Sequence, residues 1–244
     1  PRIRNWIRAA RAAIARPPAA RPANEAPAAE LAAVRAAFGV PLRAAPVGPG
    51  LLSLALQIDL RDEAAVARAF SVSGEGPATG PDGLILERDD VEQALYLRGS
   101  WAPPLDLVLE IDRVQDVDDR SVLGFGIFSD PDRREGFACL LLGGGDDAGL
   151  AIGACGPGPG APPPPSRANV PSLETTSGAA VFRTVARQGR LGAMLRIDGS
   201  WTRAWEGRAA LSQGRIAIVW RDASVRAVRL VVRGTVRTAS LEGE

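Results

Sequence analysis

Histidine and lysine are both absent from this chain of 244 residues, and all 29 basic residues are arginine. Without histidine the chain lacks the side chain that most often serves as a general base, and it cannot build the Ser-His-Asp or Cys-His arrangements of nucleophilic hydrolases. Most zinc sites are excluded for the same reason. Arginine in place of lysine, in a chain rich in alanine, glycine and proline, is typical of a GC-rich genome and indicates no function by itself.

The chain also lacks a strong net charge and long apolar runs. Its formal net charge of +1 predicts no nucleic-acid partner. No apolar run reaches the roughly 20 residues that a membrane-spanning helix needs. The two cysteines, Cys139 and Cys155, are too far apart in sequence for a CxxC pair. We expect them on the two arms of one hairpin, either as a cross-strand disulfide or as two small buried thiols.

The clearest structural pattern lies in residues 190–234. Apolar side chains alternate with others along residues 191–197, which is the period of a half-buried strand. Asp198-Gly199 follows as a strong two-residue hairpin signal. A returning strand, a strand that begins after Gly214 and a strand of alternating Val and Arg complete the stretch. The pattern therefore predicts four consecutive strands joined by turns.

This stretch resembles the C-terminal half of concanavalin A-like, or laminin G-like, jelly rolls. The matching segments are Arg196-Ile197-Asp198-Gly199, residues 214–218 and residues 228–234. Asp82-Gly83-Leu84, followed by residues 94–99, resembles the N-terminal end of the same domains. The resemblance implies an all-β, two-sheet antiparallel jelly-roll sandwich over residues 51–244, and the short, regularly spaced strands agree with it. It does not select a function, because this fold hosts enzymes, lectins and interaction modules.

Residues 1–50 are predicted to form an N-terminal arm of two short helices, 1–16 and 28–38, separated and followed by Pro/Ala linkers at 19–27 and 41–50. One face of the first helix is apolar and its flanks are basic. The residues concerned are Ile3, Trp6, Ile7 and Ile14 on the apolar face, with Arg4, Arg8 and Arg11 beside it. A basic helix with tryptophan on its apolar side is typical of an interfacial membrane helix. Docking on a partner subunit and packing on its own domain are the alternatives.

Glu110-Ile111-Asp112 is the sharpest enzymatic lead. Retaining β-glucanases of this fold carry a Glu-Ile-Asp run that is followed closely by a second glutamate, and glycoside hydrolysis needs two such carboxylates. Here the run continues to Gln115 without another acid, and an amide cannot exchange a proton in this role. We therefore predict an ordinary strand, with Glu110 and Asp112 facing outward and no catalytic role.

Two further groups are candidate ligand sites. Lectin-like sandwiches often hold calcium with loop carboxylates. The acidic clusters here are Asp116, Asp118 and Asp119, then Asp130 and Asp132. Their spacing matches no defined calcium loop, so we predict solvated turns and neither a metal nor a cofactor.

The second group is Trp201, Arg203 and Trp205, which alternate along one predicted strand and so share one face. Two indoles in line stack on sugar rings or form a protein-docking patch. Arg203 between them favours a surface face over the sandwich interior, because a buried unpaired arginine is costly.

Together these features predict a non-catalytic accessory or scaffolding subunit. Its arm would dock to a membrane protein assembly, such as an energy-converting complex, or to an anionic membrane surface. The predicted location is therefore peripheral on a membrane, with the cytoplasmic side favoured by the basic arm and the periplasmic or extracellular side as the alternative. A carbohydrate-binding module using Trp201 and Trp205 is the alternative function, and a glycoside hydrolase with a degenerate Glu-Ile-Asp site is the next.

Overall fold

The structure is a computed structural model that describes residues 28–72, 77–130, 135–143, 149–155, 165–166, 179–187, 189–197, 200–208 and 213–241. The strands are Arg43–Gly48 (β1), Leu51–Asp59 (β2), Phe70–Val72 (β3), Ala78–Gly80 (β4), Gly83–Leu86 (β5), Gln93–Leu97 (β6), Ser100–Gln115 (β7), Val122–Asp130 (β8), Glu135–Leu142 (β9), Gly149–Cys155 (β10), Pro165–Ser166 (β11), Ala180–Arg187 (β12), Arg190–Ile197 (β13), Ser200–Arg208 (β14), Arg215–Arg221 (β15) and Ser224–Arg237 (β16). The helices are Ala28–Phe38 (α1), Glu63–Ala69 (α2) and a final 3-10 helix, Thr238–Leu241.

The strands form two sheets. The nine-stranded sheet has the order β1-β2-β16-β7-β12-β13-β14, with β5 beside β16 and β4 beside β5. The seven-stranded sheet has the order β11-β10-β9-β8-β15-β6-β3. Neighbouring strands pair antiparallel, including the long central pairs of β16 with β7 and of β15 with β8. The predicted all-β sandwich of two antiparallel sheets is therefore confirmed.

The main hydrophobic core lies between the two sheets. Alternate residues of β7, such as Leu107 and Leu109, are fully buried there, as period-2 patterning requires. Phe125 of β8 and Phe182 of β12 stack across the two sheets with their ring centroids 5.9 Å apart. Burying an aromatic side chain of this size stabilises a fold by about 2–3 kcal/mol, so such pairs hold the layers face to face.

Helices close one part of the sandwich. Val34 and Phe38 of α1 are buried in the main core, and the Phe38 ring lies 5.9 Å from the ring of Trp101. Asp62 caps α2 by accepting a hydrogen bond from the Ala65 amide at 3.1 Å. α1 packs against α2, against the final 3-10 helix and against β2. Among the described residues, no helix is long and apolar enough to cross a membrane.

Two boundary predictions are corrected by the structure. The linker predicted over residues 41–50 contains strand β1, whose Arg43 pairs with Ala55 of β2. Pro46 had argued against a strand, but β1 is an edge strand with an irregular register next to Pro46, and both settings tolerate proline. The sequence also predicts a separate final strand over residues 235–241, but β16 runs on to Arg237, where a 3-10 helix begins.

The two cysteines are free, so the disulfide alternative is wrong. They do lie on the two arms of one hairpin, β9 and β10. The register pairs Cys139 with Ile152 and Cys155 with Gly136, so the thiols are not opposite each other. Cys139 is buried in the main core, whereas Cys155 is partly buried. The register sets Cys139 opposite a residue that lies three positions before Cys155.

Candidate functional site

The outer face of the nine-stranded sheet carries a row of carboxylates from β7, each paired with arginine. We call it the charged face; its ion pairs join Asp106 to Arg183 and Arg233, Glu110 to Arg229, and Asp112 to Arg226. The Arg183 guanidinium holds Asp106 through two hydrogen bonds of 2.7 Å, and both side chains are largely buried. The predicted outward orientation of Glu110 and Asp112 is therefore confirmed.

This pairing leaves Glu110 and Asp112 poorly placed for glycoside hydrolysis. Each carboxylate is bound by its own arginine, and the hydrogen bond from Arg229 to Glu110 raises the pKa of that arginine. A retaining glycosidase needs one carboxylate that can donate a proton and one that can attack the sugar. The geometry instead gives two structural ion pairs on a solvent-facing sheet.

The outer face of the seven-stranded sheet is apolar and buried, unlike the charged face. Its residues alternate with core residues along the same strands, as Ala94 and Tyr96 alternate with Leu95 and Leu97. They form a second hydrophobic cluster, which we call the apolar face, and they are only 0–7% exposed. Its members are Ala94, Tyr96, Val122, Phe128, Ala138, Leu140, Leu142, Ala151, Ala217 and Val219.

One end of the apolar face combines aromatic and polar groups. The Arg215 guanidinium lies 5.1 Å from the centroid of the Tyr96 ring, within the range of a cation–π contact. The rings of Phe128 and Tyr96 pack edge to face, with their centroids 6.0 Å apart. Arg215 also donates a hydrogen bond to the Ser71 hydroxyl at 2.5 Å. Strands β3, β6, β8 and β15 each supply one of these side chains, so the contacts tie neighbouring strands together.

Three loops at the other end of this sheet bring charged side chains together. They join β5 to β6, β7 to β8 and β15 to β16, and we call Arg88, Asp118, Arg120 and Asp222 the loop cluster. Arg88 donates hydrogen bonds to Asp118 Oδ2 at 2.5 Å and to the backbone carbonyl of Asp116 at 3.2 Å. The buried Asp222 carboxylate lies 3.9 Å from Arg88 Nε and 3.7 Å from Arg120 Nε.

The backbone of the loop cluster is held in an uncommon conformation. Asp116 (φ 54°) and Asp222 (φ 49°) are the non-glycine residues with positive φ in the described chain. The Asp222 amide donates to the Asp89 carbonyl at 2.8 Å, and the Ser121 hydroxyl donates to the Asp222 carbonyl. Such strain persists only where surrounding contacts enforce it, and it concentrates at binding sites. The loops are therefore locked in place by each other.

The Asp118 carboxylate stays ionised over a wide pH range. Its partial burial raises the pKa, but the Arg120 amide, the Arg88 guanidinium and the Ser121 hydroxyl outweigh this, so the pKa lies below the ordinary value of 3.8. The pKa of Asp89 is lowered as well, chiefly by the amide of Val91. The loop cluster thus keeps its acceptors charged at neutral pH.

The loop cluster also faces solvent. The side chains of Arg88 and Arg120 are 44% and 65% exposed, whereas that of Asp222 beneath them is 3% exposed. Val91 in the same loop as Arg88 is 61% exposed and adds an apolar surface. The buried Asp222 carboxylate therefore positions the exposed guanidinium groups of Arg88 and Arg120 as hydrogen-bond donors, and Asp118 lies beside them as an acceptor.

The acidic clusters of the sequence do not assemble a metal site in the described residues, where no three metal-ligating side chains converge. Asp118 binds Arg88, and its Oδ1 atom accepts the Arg120 amide at 2.8 Å. Asp132 and the side chain of Asp130 lie outside the described residues. The part played by Asp118 is thus to order the loop cluster.

The other predicted site residues receive no test from the described side chains. Ile3, Arg4, Trp6, Ile7, Arg8, Arg11 and Ile14 lie outside the described residues, as do the side chains of Trp201, Arg203 and Trp205. The backbone register of β14 places Trp201 opposite Arg196, and Arg203 opposite Leu195. One extra residue therefore lies between them and interrupts the alternation on which the shared face was predicted.

Sequence reasoning missed Arg88, Arg120 and Asp222. The sequence predicts turns between the consecutive strands of residues 190–234 and a solvated turn at Asp118, which is locally accurate. The missing information was that three turns far apart in sequence meet at one end of the sheet. Complementary charges in those turns were a visible signal, but their spatial proximity depends on strand order.

No protein-family model matches the chain, and no curated relative matches its sequence. Among solved structures, it is similar to a legume lectin-like domain from Entamoeba histolytica, with a TM-score of 0.57 and 10% identity over 72% of this chain and 95% of that one. A carbohydrate-binding module from Bacillus subtilis matches with a TM-score of 0.47 and 15% identity over 68% of this chain and 96% of that one. A transglycosylase matches with a TM-score of 0.48 and 11% identity over 74% of this chain and 84% of that one.

At these identities the similarities describe the fold and not the activity. The fold by itself does not decide between a binding domain and an enzyme, because one fold hosts many unrelated functions. The strand order, the antiparallel pairing and the likeness to a lectin-like domain all agree with the pattern of the hairpins in the sequence. The chain therefore has the concanavalin A-like jelly-roll fold.

Proposed function

We propose that this protein is a carbohydrate-binding module whose ligand docks on the loop cluster. The observation that carries the proposal is the set of exposed guanidinium groups of Arg88 and Arg120, fixed around the buried Asp222. The similarity of the fold to a legume lectin-like domain supports the same class of ligand.

The chemistry of the loop cluster matches that of sugar hydroxyls. A hydroxyl both donates and accepts, whereas a guanidinium only donates and a carboxylate only accepts. Arg88 Nη2 and Asp118 Oδ2 are 2.5 Å apart. Two neighbouring hydroxyls of one sugar ring can therefore contact a hydrogen-bond donor and an acceptor at the same time. The exposed Val91 offers an apolar surface for the C–H groups of the ring.

Preorganisation strengthens this assignment. The loops are cross-linked by the bonds from Arg88 to the Asp116 carbonyl and from the Asp222 amide to the Asp89 carbonyl. Groups that are already ordered lose little conformational freedom when a ligand binds. Because arginines and carboxylates are mixed within the cluster, an uncharged glycan suits it better than a polyanion.

A glycan array probed with the full chain tests the proposal. We expect binding to a defined subset of neutral glycans, and Arg88→Ala should weaken it at least about tenfold, since a hydrogen bond to a charged group contributes about 1.5–3 kcal/mol. Arg43→Ala removes an exposed arginine from β1 in the other sheet and serves as the matched control. An array without hits, or binding that Arg88→Ala and Arg43→Ala affect equally, would contradict the proposal.

The array also separates the alternatives. Cleavage or transfer of a bound glycan would favour an enzyme of this fold over a binding module. Docking of the N-terminal arm to a membrane assembly, and hence a peripheral membrane location, rests on residues outside the described chain and stays a prediction.

A further inference from the structure

The apolar face is buried although the described chain provides no layer above it. Every member of its cluster belongs to β6, β8, β9, β10 or β15, so these residues all come from the sheet itself. Within the described residues, α1 and α2 pack mainly on each other and on β2, β3, β4 and the final 3-10 helix. The face therefore requires a cover from elsewhere.

The size of the side chains makes the need for a cover clear. Leu140 and Val219 are each 2% exposed, and Phe128 is 3% exposed. Large apolar side chains on an open sheet face would keep much more of their surface in contact with water, and water disfavours that contact by about 25 cal/mol per Å². An apolar layer must lie on this face in the folded protein.

We propose that residues 1–27 supply this layer, with the apolar side of the predicted N-terminal helix packed on the apolar face. The arm carries Ile3, Trp6, Ile7 and Ile14 at helical spacing. A stripe of this kind buries its side chains against a complementary apolar surface. The inference concerns a different surface from the loop cluster, so it does not depend on glycan binding.

Residues 1–27 connect to the described structure on the side of the molecule that carries the β3 edge of the seven-stranded sheet. Residue 28 begins α1, which packs against α2. α2 leads directly into β3, and β3 is the edge strand next to β6, whose Ala94 and Tyr96 open the apolar face. Residues 1–27 therefore join the described structure through a helix whose partner, α2, adjoins that edge of the sheet.

The arm is also long enough. The five strands of the apolar face span roughly 20 Å at about 4.8 Å per strand. A helix over residues 1–16 would be about 24 Å long. The eleven residues from Pro17 to Pro27 reach up to about 36 Å when extended. The helix can thus cross the whole face while the linker returns to α1.

Photo-cross-linking in the full chain tests this placement. Ile7→p-benzoylphenylalanine puts a reactive group on the apolar side of the predicted helix, and Asn5→p-benzoylphenylalanine puts the same group on the opposite side as a matched control. After irradiation of dilute protein, mass spectrometry should find intramolecular adducts from position 7 in residues 135–142 or 215–221. The control should give few adducts there.

A second readout follows exposure of the face without a cross-linker. Trp6→Asp should release the arm and raise the fluorescence of an apolar dye severalfold, whereas Asn5→Asp should leave it unchanged. Adducts from position 7 to another surface, to a second copy or to added phosphatidylglycerol vesicles, or no adducts at all, would overturn the proposal. Equal dye binding by the two aspartate variants would overturn it as well.

Discussion

The two sheets present opposite outer surfaces. On β7, buried leucines alternate with outward-pointing residues, among them Asp106 and Glu110 of the charged face. On β9, Cys139 and Leu141 face the core while Ala138 and Leu140 face the apolar face, so this strand is apolar on both sides. A strand in which polar and apolar residues alternate exposes one side to solvent, whereas a strand that is apolar throughout is buried on both sides. The comparison indicates that the apolar face is covered, whereas the charged face reaches solvent along β16, where the side chains of Arg229 and Arg233 are 42% and 53% exposed.

The strongest test of this difference places a carboxylate on each face. Leu140→Asp should lower the free energy of unfolding by roughly 3 kcal/mol or more, because it buries a charge without a partner. Val231→Asp introduces the same group on the charged face, where β16 is half-buried and arginine-rich, and should cost about 1 kcal/mol or less. Chemical denaturation measures both. Similar losses for the two variants would mean that the apolar face is no better covered than the charged face.

Within the charged face, burial should separate strong pairs from weak ones. Arg183→Ala leaves Asp106 in a largely buried site with only the longer contact to Arg233, at 3.4 Å, and should cost about 3 kcal/mol. Arg229→Ala breaks the more exposed pair with Glu110 and should cost about 1 kcal/mol or less. Thermal unfolding of the two variants gives the comparison. An equal decrease in Tm would show that burial of Asp106 is unimportant.

The two thiols report on the two sides of the seven-stranded sheet. Burial, together with the nearby charge of Glu92, raises the pKa of Cys155 from 9.0 to about 11, and burial raises the pKa of Cys139 further. The thiolate fraction of Cys155 at neutral pH is therefore about a hundredfold below that of a free thiol. Alkylation with iodoacetamide should be slow at Cys155 and should occur at Cys139 only after unfolding. Rapid labelling of Cys139 in the folded protein would refute its place in the core.

The smallest effect is expected for the former enzymatic lead. Glu110→Gln and Asp112→Asn each remove one member of a partly exposed ion pair, which contributes about 0–1 kcal/mol. Both variants should bind the same glycans as the wild type, because the charged face is separate from the loop cluster. Glycan cleavage by the wild type that either variant abolishes would show that this strand is catalytic.

The sequence predicted the architecture well because that architecture depends on local patterns. Alternation identified the inner residues of β7, and the hairpin signal Asp198-Gly199 lies between β13 and β14, which pair antiparallel. The edge strand β1 was mistaken for a linker because the three prolines of residues 41–50 outweighed a short and weakly alternating segment. Local signals cannot show that an edge of a sheet tolerates proline.

The candidate site was less predictable because it depends on contacts distant in sequence. Arg88 and Asp118 are 30 residues apart, and Ser121 and Asp222 are 101 residues apart. No spacing rule connects them. The bulge in β14 was equally hidden, because an extra residue that breaks a register leaves no mark in the alternation of side chains. By contrast, the three consecutive leucines at the end of β9 were a readable sign that both of its sides are buried.

Under the proposed function, ligand binding belongs to the loop cluster and to neither outer face. Backbone NMR of the full chain, titrated with a glycan identified on the array, tests it directly. We expect chemical-shift changes concentrated at residues 88–91, 116–121 and 221–223, with little change along β7 and β9. Changes centred on the charged face, on the apolar face or on β14, with the loops unaffected, would contradict the account.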